Sequence, residues 1–318
     1  MREMTKDAFC IRKLDVVSGK VVTDITSDCA RAVALGFYET LHKGHLQIIA
    51  GTVDYAHKNS LKAAVLTFVN FPKEGSRDVL TLHERAEILA SMGVDEFFVI
   101  NFSSEMKSLD YLDFYNDIIV RIFNAKALFA GNDYSFGAGG TGDITKLSKL
   151  CSESSVKLQV FDDICVDGKR VSSSFIRELL DRGDVETVSK LTDYAFSYKG
   201  IVKEGKKLGR TLGFPTINID IEKDKYVVLK GVYASKAVIF GKEYNAITNV
   251  GLRPTAEKAE EVRTETHIFD FNEDLYGKEA EIIPVKFIRE EIKFNSIEEL
   301  KRQIESDCSE ALKFFRNE

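Results

Sequence analysis

Patterned cysteine is missing from this chain. The five cysteines (Cys10, Cys29, Cys151, Cys165 and Cys308) are odd in number, scattered and never spaced CxxC. That excludes a disulfide framework or a zinc knuckle and fits a reducing cytoplasm. Long apolar runs are also missing. No stretch approaches about 18 consecutive apolar residues, so no membrane span is expected. The first seven residues hold no apolar run of the kind a secretory signal needs. Basic excess is absent too: 44 Lys and Arg stand against 50 Asp and Glu, a net charge of −6. Residues 1–187 carry 22 basic and 27 acidic groups, and residues 188–318 carry 22 and 23. Neither part has the basic footprint of a nucleic-acid binder, which leaves small molecules as the expected partners. There is no internal repeat and no low-complexity tract.

What remains is ordinary globular composition, 44% apolar and 30% charged over 318 residues. That length suggests two domains, each able to bury a core. In the first ~185 residues short apolar runs alternate with helical patterns. Strands are expected at 31–37, 62–68, 96–100 and 125–130. Helices are expected at 44–57, from the capping box Thr81/Glu84 to Met92, and at 108–123. Such alternation gives an α/β domain, a parallel sheet with helices on both faces, whose ligands sit beyond the carboxyl ends of the strands. From Phe196 onward the period becomes two, with runs at 197–202, 232–239, 243–250, 263–271 and 280–287. That reads as an antiparallel barrel or sandwich. A capping box at Ser296/Glu299 opens a last helix with Ile297, Leu300, Ile304, Ala311 and Phe314 on one face. The boundary is set at 187/188.

Four segments can carry chemistry. His42, Gly44 and His45 lie in the loop after Gly36, where a strand hands over to a helix. They could be solvated loop residues or a metal pair. A helix N-terminus with a close-approach glycine instead favours phosphate, and imidazoles there stabilise charge on phosphate oxygens. Gly131, Asp133 and Gly137 belong to a glycine-rich loop after the fourth strand, where Asp133 could hold a sugar or base. Ser172, Ser173, Ser174 and Arg177 open a helix and form either a plain serine cap or an anion site. Residues 205–218 make a long loop without a Walker pattern, in which Thr216 and Asn218 offer hard oxygen ligands that suit Mg²⁺. Glu265 lies in an expected strand and becomes a candidate general base only if it faces a pocket.

In this order the segments resemble the bifunctional bacterial riboflavin kinase/FAD synthetase family, over about residues 31–310. The first part resembles a Rossmann-like nucleotidyltransferase module, through Gly36, the HxGH of residues 42–45, Gly131 to Gly137, and Ser172 to Arg177. The second resembles a β-barrel riboflavin kinase, through Gly209 to Asn218, Gly231 to Ala234, Asn249 to Thr255, Glu265 to His267 and Asp274 to Gly277.

The resemblance implies two reactions, riboflavin plus ATP to FMN and FMN plus ATP to FAD, with Mg²⁺ as cofactor. It implies Glu265 as base, Thr216 and Asn218 at Mg²⁺ and phosphates, Gly209 at ATP, and Arg253 and Arg289 at the flavin. In the first module it implies His42, His45, Gly36 and Gly44 at ATP phosphates and Asp133 at the nucleotide. Ser173, Ser174 and Arg177 would grip pyrophosphate. The chain departs from the family's usual Phe-Asp-Gly at Tyr38-Glu39-Thr40. It also departs from Pro-His-Pro at Asn70-Phe71-Pro72, from Ser-Ser-Thr at Ser172-Ser173-Ser174, and from alanine at Ile217. The alternative expectation is a riboflavin kinase whose first module is inactive or only binds flavin or nucleotide.

Overall fold

The computed structural model describes residues 9–17, 20–23, 28–69, 77–205, 208–253 and 261–317. Their packing divides the chain into two compact units, residues 1–76 with 80–172, and residues 77–79 with 173–318.

The first unit is built on a sheet of seven strands: β1 Cys10–Val17, β2 Lys20–Thr23, β3 Arg31–Leu35, β4 Lys62–Val69, β5 Glu96–Asn101, β6 Ala125–Gly131 and β7 Lys157–Phe161. Their order is β2-β1-β5-β4-β3-β6-β7. Only β2 runs antiparallel, against β1. The helices are α1 Lys43–Lys58, α2 Leu82–Ser91, α3 Ser104–Ser108, α4 Tyr111–Asp113 and α5 Ile144–Glu153. The inner strands are near-continuous apolar runs because both their faces are covered. Val33, Leu66, Phe98 and Leu128 pack with Phe114, Ile118 and Leu147 in one core cluster. The alternate residues Ala34, Val65, Phe97 and Phe129 are equally buried, and Tyr55 of α1 packs on Phe129 at 5.5 Å. From β3 the chain moves through β4 to β5 on one side, then returns to β6 and β7 on the other. The loops after β3 and β6 therefore part at a topological switch point, where an open α/β sheet forms its ligand crevice.

The expected strands and the Thr81/Glu84 capping box are present. Three features differ from the sequence reading. Strands β1, β2 and β7, and a small hairpin of β8 Cys165–Val166 and β9 Lys169–Arg170, were not expected. Charges interrupt the apolar pattern in β1, and β7 is a half-exposed edge. The helix expected over 108–123 is broken at Leu109 (ψ 125°), where the Asp110 carboxylate accepts from the Leu112 N–H at 2.8 Å. After α4 the chain continues as a π-helical stretch, Phe114–Ile122.

In the second unit α6 Ser173–Asp181 and α7 Val185–Thr192 precede the barrel strands β10 Tyr198–Ile201 and, after the short α8 Leu208–Leu212, β11 Ile217–Asp220. There follow β12 Gly231–Ile239, β13 Lys242–Arg253, β14 Glu261–Ile268, β15 Glu279–Glu290 and the terminal α9 Ile297–Asn317. The six strands are antiparallel in the order β10-β15-β12-β13-β14-β11. The two ends approach each other where the Lys203 N–H donates to the Asn218 carbonyl at 2.8 Å, so the barrel is nearly closed. Ala237, Ile239, Ala246 and Ile282 form one core cluster. Val232, Ala234 and Ile247 form another with Cys308 and Ala311 of α9. Ile297 does not join that packing face; it is 57% exposed. The Glu299 N–H donates to Ser296 Oγ at 3.1 Å, one half of the expected capping box, while the Glu299 carboxylate accepts from the Asn295 N–H at 3.1 Å.

Helices α6 and α7 pack with the barrel. Ile176, Leu179, Leu180, Val185 and Val188 are buried, and the Leu229 N–H donates to the Leu180 carbonyl at 2.9 Å. A fragment starting at Ser173 is therefore expected to melt well above one starting at Val188. Each buried Leu or Ile is worth about 1.5–3 kcal/mol against a domain stability of about 5–15 kcal/mol. Thermal melts of both fragments check this. Equal melting points would show that α6 adds nothing to the barrel.

Candidate active sites

In the first unit the loop after β3 ends at His42, which is the N-cap of α1. His42 Nδ1 accepts from the His45 N–H at 3.4 Å. The two imidazoles stack at 3.7 Å with an interplanar angle of 17°. Burial lowers the His42 pKa from its ordinary value to about 4; Asp133 and Asp163 pull it up, Arg170 pushes it down, and burial prevails. Burial, and then His42, hold His45 well below its ordinary value. Both rings are therefore neutral at pH 7. Because His42 Nδ1 accepts a hydrogen bond, its proton sits on Nε2, which is left as a donor.

The loop is tightly held. Tyr38 and Leu41 adopt left-handed backbone, φ 49° and 41°, which costs non-glycine residues about 1–3 kcal/mol each. The Tyr38 ring covers Gly36 so closely that a Cβ there would stand 2.8 Å from the ring. It also meets His45 edge-on at 5.1 Å. Tyr38 Oη, Tyr134 Oη and His45 Nδ1 are buried without hydrogen-bond partners. Beneath the loop the buried Arg85 donates to Thr67 Oγ1 at 3.3 Å and to the Phe37 carbonyl at 3.5 Å.

Across the crevice, Asp133 follows β6. Its carboxylate pairs with Arg170 of β9, whose Nε also meets Asp163 at 2.9 Å. The structure thus gathers His42, Gly44, His45, Gly36 and Asp133 at one sheet edge. It adds Arg170 and Asp163, which sequence reading missed. Asn70, Phe71 and Pro72 lie outside the described residues. Ser173 and Ser174 begin α6 in the second unit. There Arg177 donates to the Arg77 carbonyl at 2.8 Å and lies over Tyr226 at 5.0 Å.

The second site is set by strand register. Glu265 is paired with Asn218 on one neighbouring strand and with Asn249 on the other. Asn249 pairs in turn with Val232, and Val232 with Arg289. Glu265, Asn249, Val232 and Arg289 of this row line a cavity of about 230 Å³ with Gly209 and Thr216, while Asn218 at the end of the row is buried. Glu265 is exposed at this cavity, and its carboxylate bonds to no other described residue. Arg289 is engaged: its guanidinium meets the buried Asp307 at 2.7 and 3.0 Å and lies over Phe294. The Arg253 side chain lies outside the described residues.

The expectation that Thr216 and Asn218 share a loop is corrected in part. Asn218 is the second residue of β11 and is 3% exposed. Its Oδ1 is buried without a partner. An orphaned hard oxygen two residues along the chain from Thr216 fits Mg²⁺, which takes few protein ligands and completes its shell with phosphate and water. Among the described residues no group of three His, Cys, Asp or Glu could hold a metal.

These two sites match two family models. Residues 24–175 match the FAD synthetase model, and residues 192–315 match the riboflavin kinase model. The bifunctional riboflavin kinase/FMN adenylyltransferase of Listeria monocytogenes is 32% identical over 302 residues, covering 93% of this chain and 96% of its own. That of Bacillus subtilis is 33% identical over 303 residues, covering 92% and 95%. The chain belongs to the bifunctional riboflavin kinase/FMN adenylyltransferase family. A crystal structure named as a macrolide-efflux protein from Streptococcus pneumoniae also matches, at 30% identity and TM-score 0.81, covering 90% of this chain and 95% of that one.

Within this family frame, the β3–α1 crevice belongs to the FAD synthetase module and the register row to the kinase module. Asn249, Glu291 and Asp307 are cavity residues that sequence reading did not assign. Asn249 opens a quoted motif, but only the strand register shows that it lies opposite Glu265.

Proposed function

We propose that the chain makes FMN from riboflavin and ATP in the barrel cavity, and FAD from FMN and a second ATP at the β3–α1 crevice. The observation that carries the reading is the unengaged Glu265 carboxylate, flanked in register by Asn218 and Asn249 at a cavity. Phosphoryl transfer needs a positioned hydroxyl and neutralised phosphate charge rather than covalent catalysis. Glu265 accepts the proton of the substrate hydroxyl as its oxygen bonds to the γ-phosphorus and ADP leaves. Thr216 and Asn218 would hold Mg²⁺, which supplies charge neutralisation at the phosphates. Gly209 lets the backbone approach ATP, and Arg253 and Arg289 border the flavin.

In adenylyl transfer a phosphate oxygen of FMN bonds to the α-phosphorus of ATP and pyrophosphate leaves. No proton has to be removed from that nucleophile. Neutral His42 and His45 donate hydrogen bonds to the phosphate oxygens, with Gly36 and Gly44 giving room. Asp133 holds the nucleotide, and Ser173, Ser174 and Arg177 bind the leaving pyrophosphate. The functional boundary is placed at 187/188, and the location in the cytoplasm, in keeping with five free thiols. No described helix is long and apolar enough to cross a membrane.

Incubating the protein with riboflavin and ATP, with chromatography of the flavins, tests the reading. FMN and then FAD are expected. Product that stops at FMN would leave the first module as a binding unit. For the cation, Asn218→Ala is expected to move the Mg²⁺ midpoint of FMN formation upward about tenfold, the effect of losing about 1.5 kcal/mol. Circular dichroism should be unchanged. An unchanged midpoint would remove Asn218 from the cation site.

A further inference from the structure

The kinase cavity is lined by three carboxylates, and the roles given so far use only two. Asp307 is neutralised by Arg289, and Glu265 takes the substrate proton. The third, Glu291, stands at the rim just after β15. Its Oε1 accepts from Asn249 Nδ2 at 3.1 Å. That oxygen lies 2.2 Å from where a Cβ on residue 251 would be, so only glycine at 251 leaves the carboxylate its place. Asn249 is also the cross-strand neighbour of Glu265. The two acids therefore flank one amide, while Leu212, Phe214, Ile292 and Phe294 give the cavity apolar walls.

Apolar walls suit a fused aromatic ring. Among the described residues no cation pairs with Glu291, and such a carboxylate accepts from neutral hydroxyl groups. We infer that Glu291, oriented by Asn249, is a specificity-determining residue that accepts hydrogen bonds from the hydroxyl groups of the substrate's polyol chain. A site built to bond hydroxyls rejects an analogue that lacks them, because its polar groups are then left unpaired. This inference rests on the kinase reading of the cavity.

The test uses the full chain and the initial rate of FMN formation, which reports this cavity alone. The KM for riboflavin is measured beside the Ki of lumiflavin, an isoalloxazine with a methyl group in place of the polyol. Glu291→Ala is expected to raise the riboflavin KM about 10-fold or more, the effect of losing a hydrogen bond to a charged group. The lumiflavin Ki should stay within about twofold, since no hydroxyl is lost. Glu291→Gln, which keeps one acceptor oxygen, should fall between parent and alanine variant. Circular dichroism and a thermal melt like the parent's confirm that the barrel of each variant is folded. If the lumiflavin Ki rises in parallel with the riboflavin KM, Glu291 shapes the cavity rather than reading hydroxyls, and the inference falls. An unchanged riboflavin KM overturns it equally. A parent protein that makes no FMN overturns the kinase reading and this inference together.

Discussion

Glu265→Gln is expected to lower FMN formation about 10²–10⁴-fold, the usual contribution of a positioned general base. FAD formation from supplied FMN should be unaffected. The carboxylate faces the cavity and engages no other described residue, so glutamine keeps the volume and breaks no native bond. The loss should therefore appear in kcat, with the melting temperature and the riboflavin KM near those of the parent. Separate initial rates for riboflavin plus ATP and for FMN plus ATP provide the check. Equal loss in both would mean that one site serves both reactions. A loss confined to KM would make Glu265 a binding residue rather than a base.

The parts of the two sites that are local in sequence were legible before the fold was known. A strand, then Gly36, then His42 and His45 at a helix start is a local arrangement, because the cap and the phosphate-binding amides come from one turn. Glu265 was legible only by resemblance, since a lone strand carboxylate has no local mark. Its neighbours Asn218 and Asn249 reach it through cross-strand register, which no spacing along the chain encodes. Asn218 was assigned to a loop because the glycine-rich run from 205 to 213 masks a strand of only four residues. The Asp133–Arg170 pair joins residues 37 apart through a two-residue hairpin too short to leave a period. The parallel sheet announced itself through doubly buried apolar runs. Its outer strands β1 and β7 did not, because charge interrupts the apolar pattern in β1 and the edge β7 is not buried on both faces.

The last expectation concerns the histidines and separates two roles of one side chain. His42 caps α1 through Nδ1, which leaves Nε2 as the proposed donor to phosphate. His42→Ala removes both and should cost about 1 kcal/mol of stability along with the rate. His42→Asn replaces the cap, because its side-chain oxygen can accept from the His45 N–H, but it is too short to replace Nε2. It should melt like the parent and still make FAD about 10²–10³-fold more slowly, the worth of one preorganised donor. FMN formation should not change. The charge state gives a second measurement. Burial takes the His42 pKa down to about 4. A group depressed in the folded state opposes folding as pH falls below its unfolded value near 6.5 and through 4. His42 thus contributes no acid limb to the FAD rate between about pH 5 and 8, and its imidazole should titrate by NMR near 4. A His42→Lys variant places a cation at that position and should not restore the rate. Rescue by lysine, or a midpoint near 6.5, would mean that the site works through an imidazolium charge, and the neutral-donor account would be wrong.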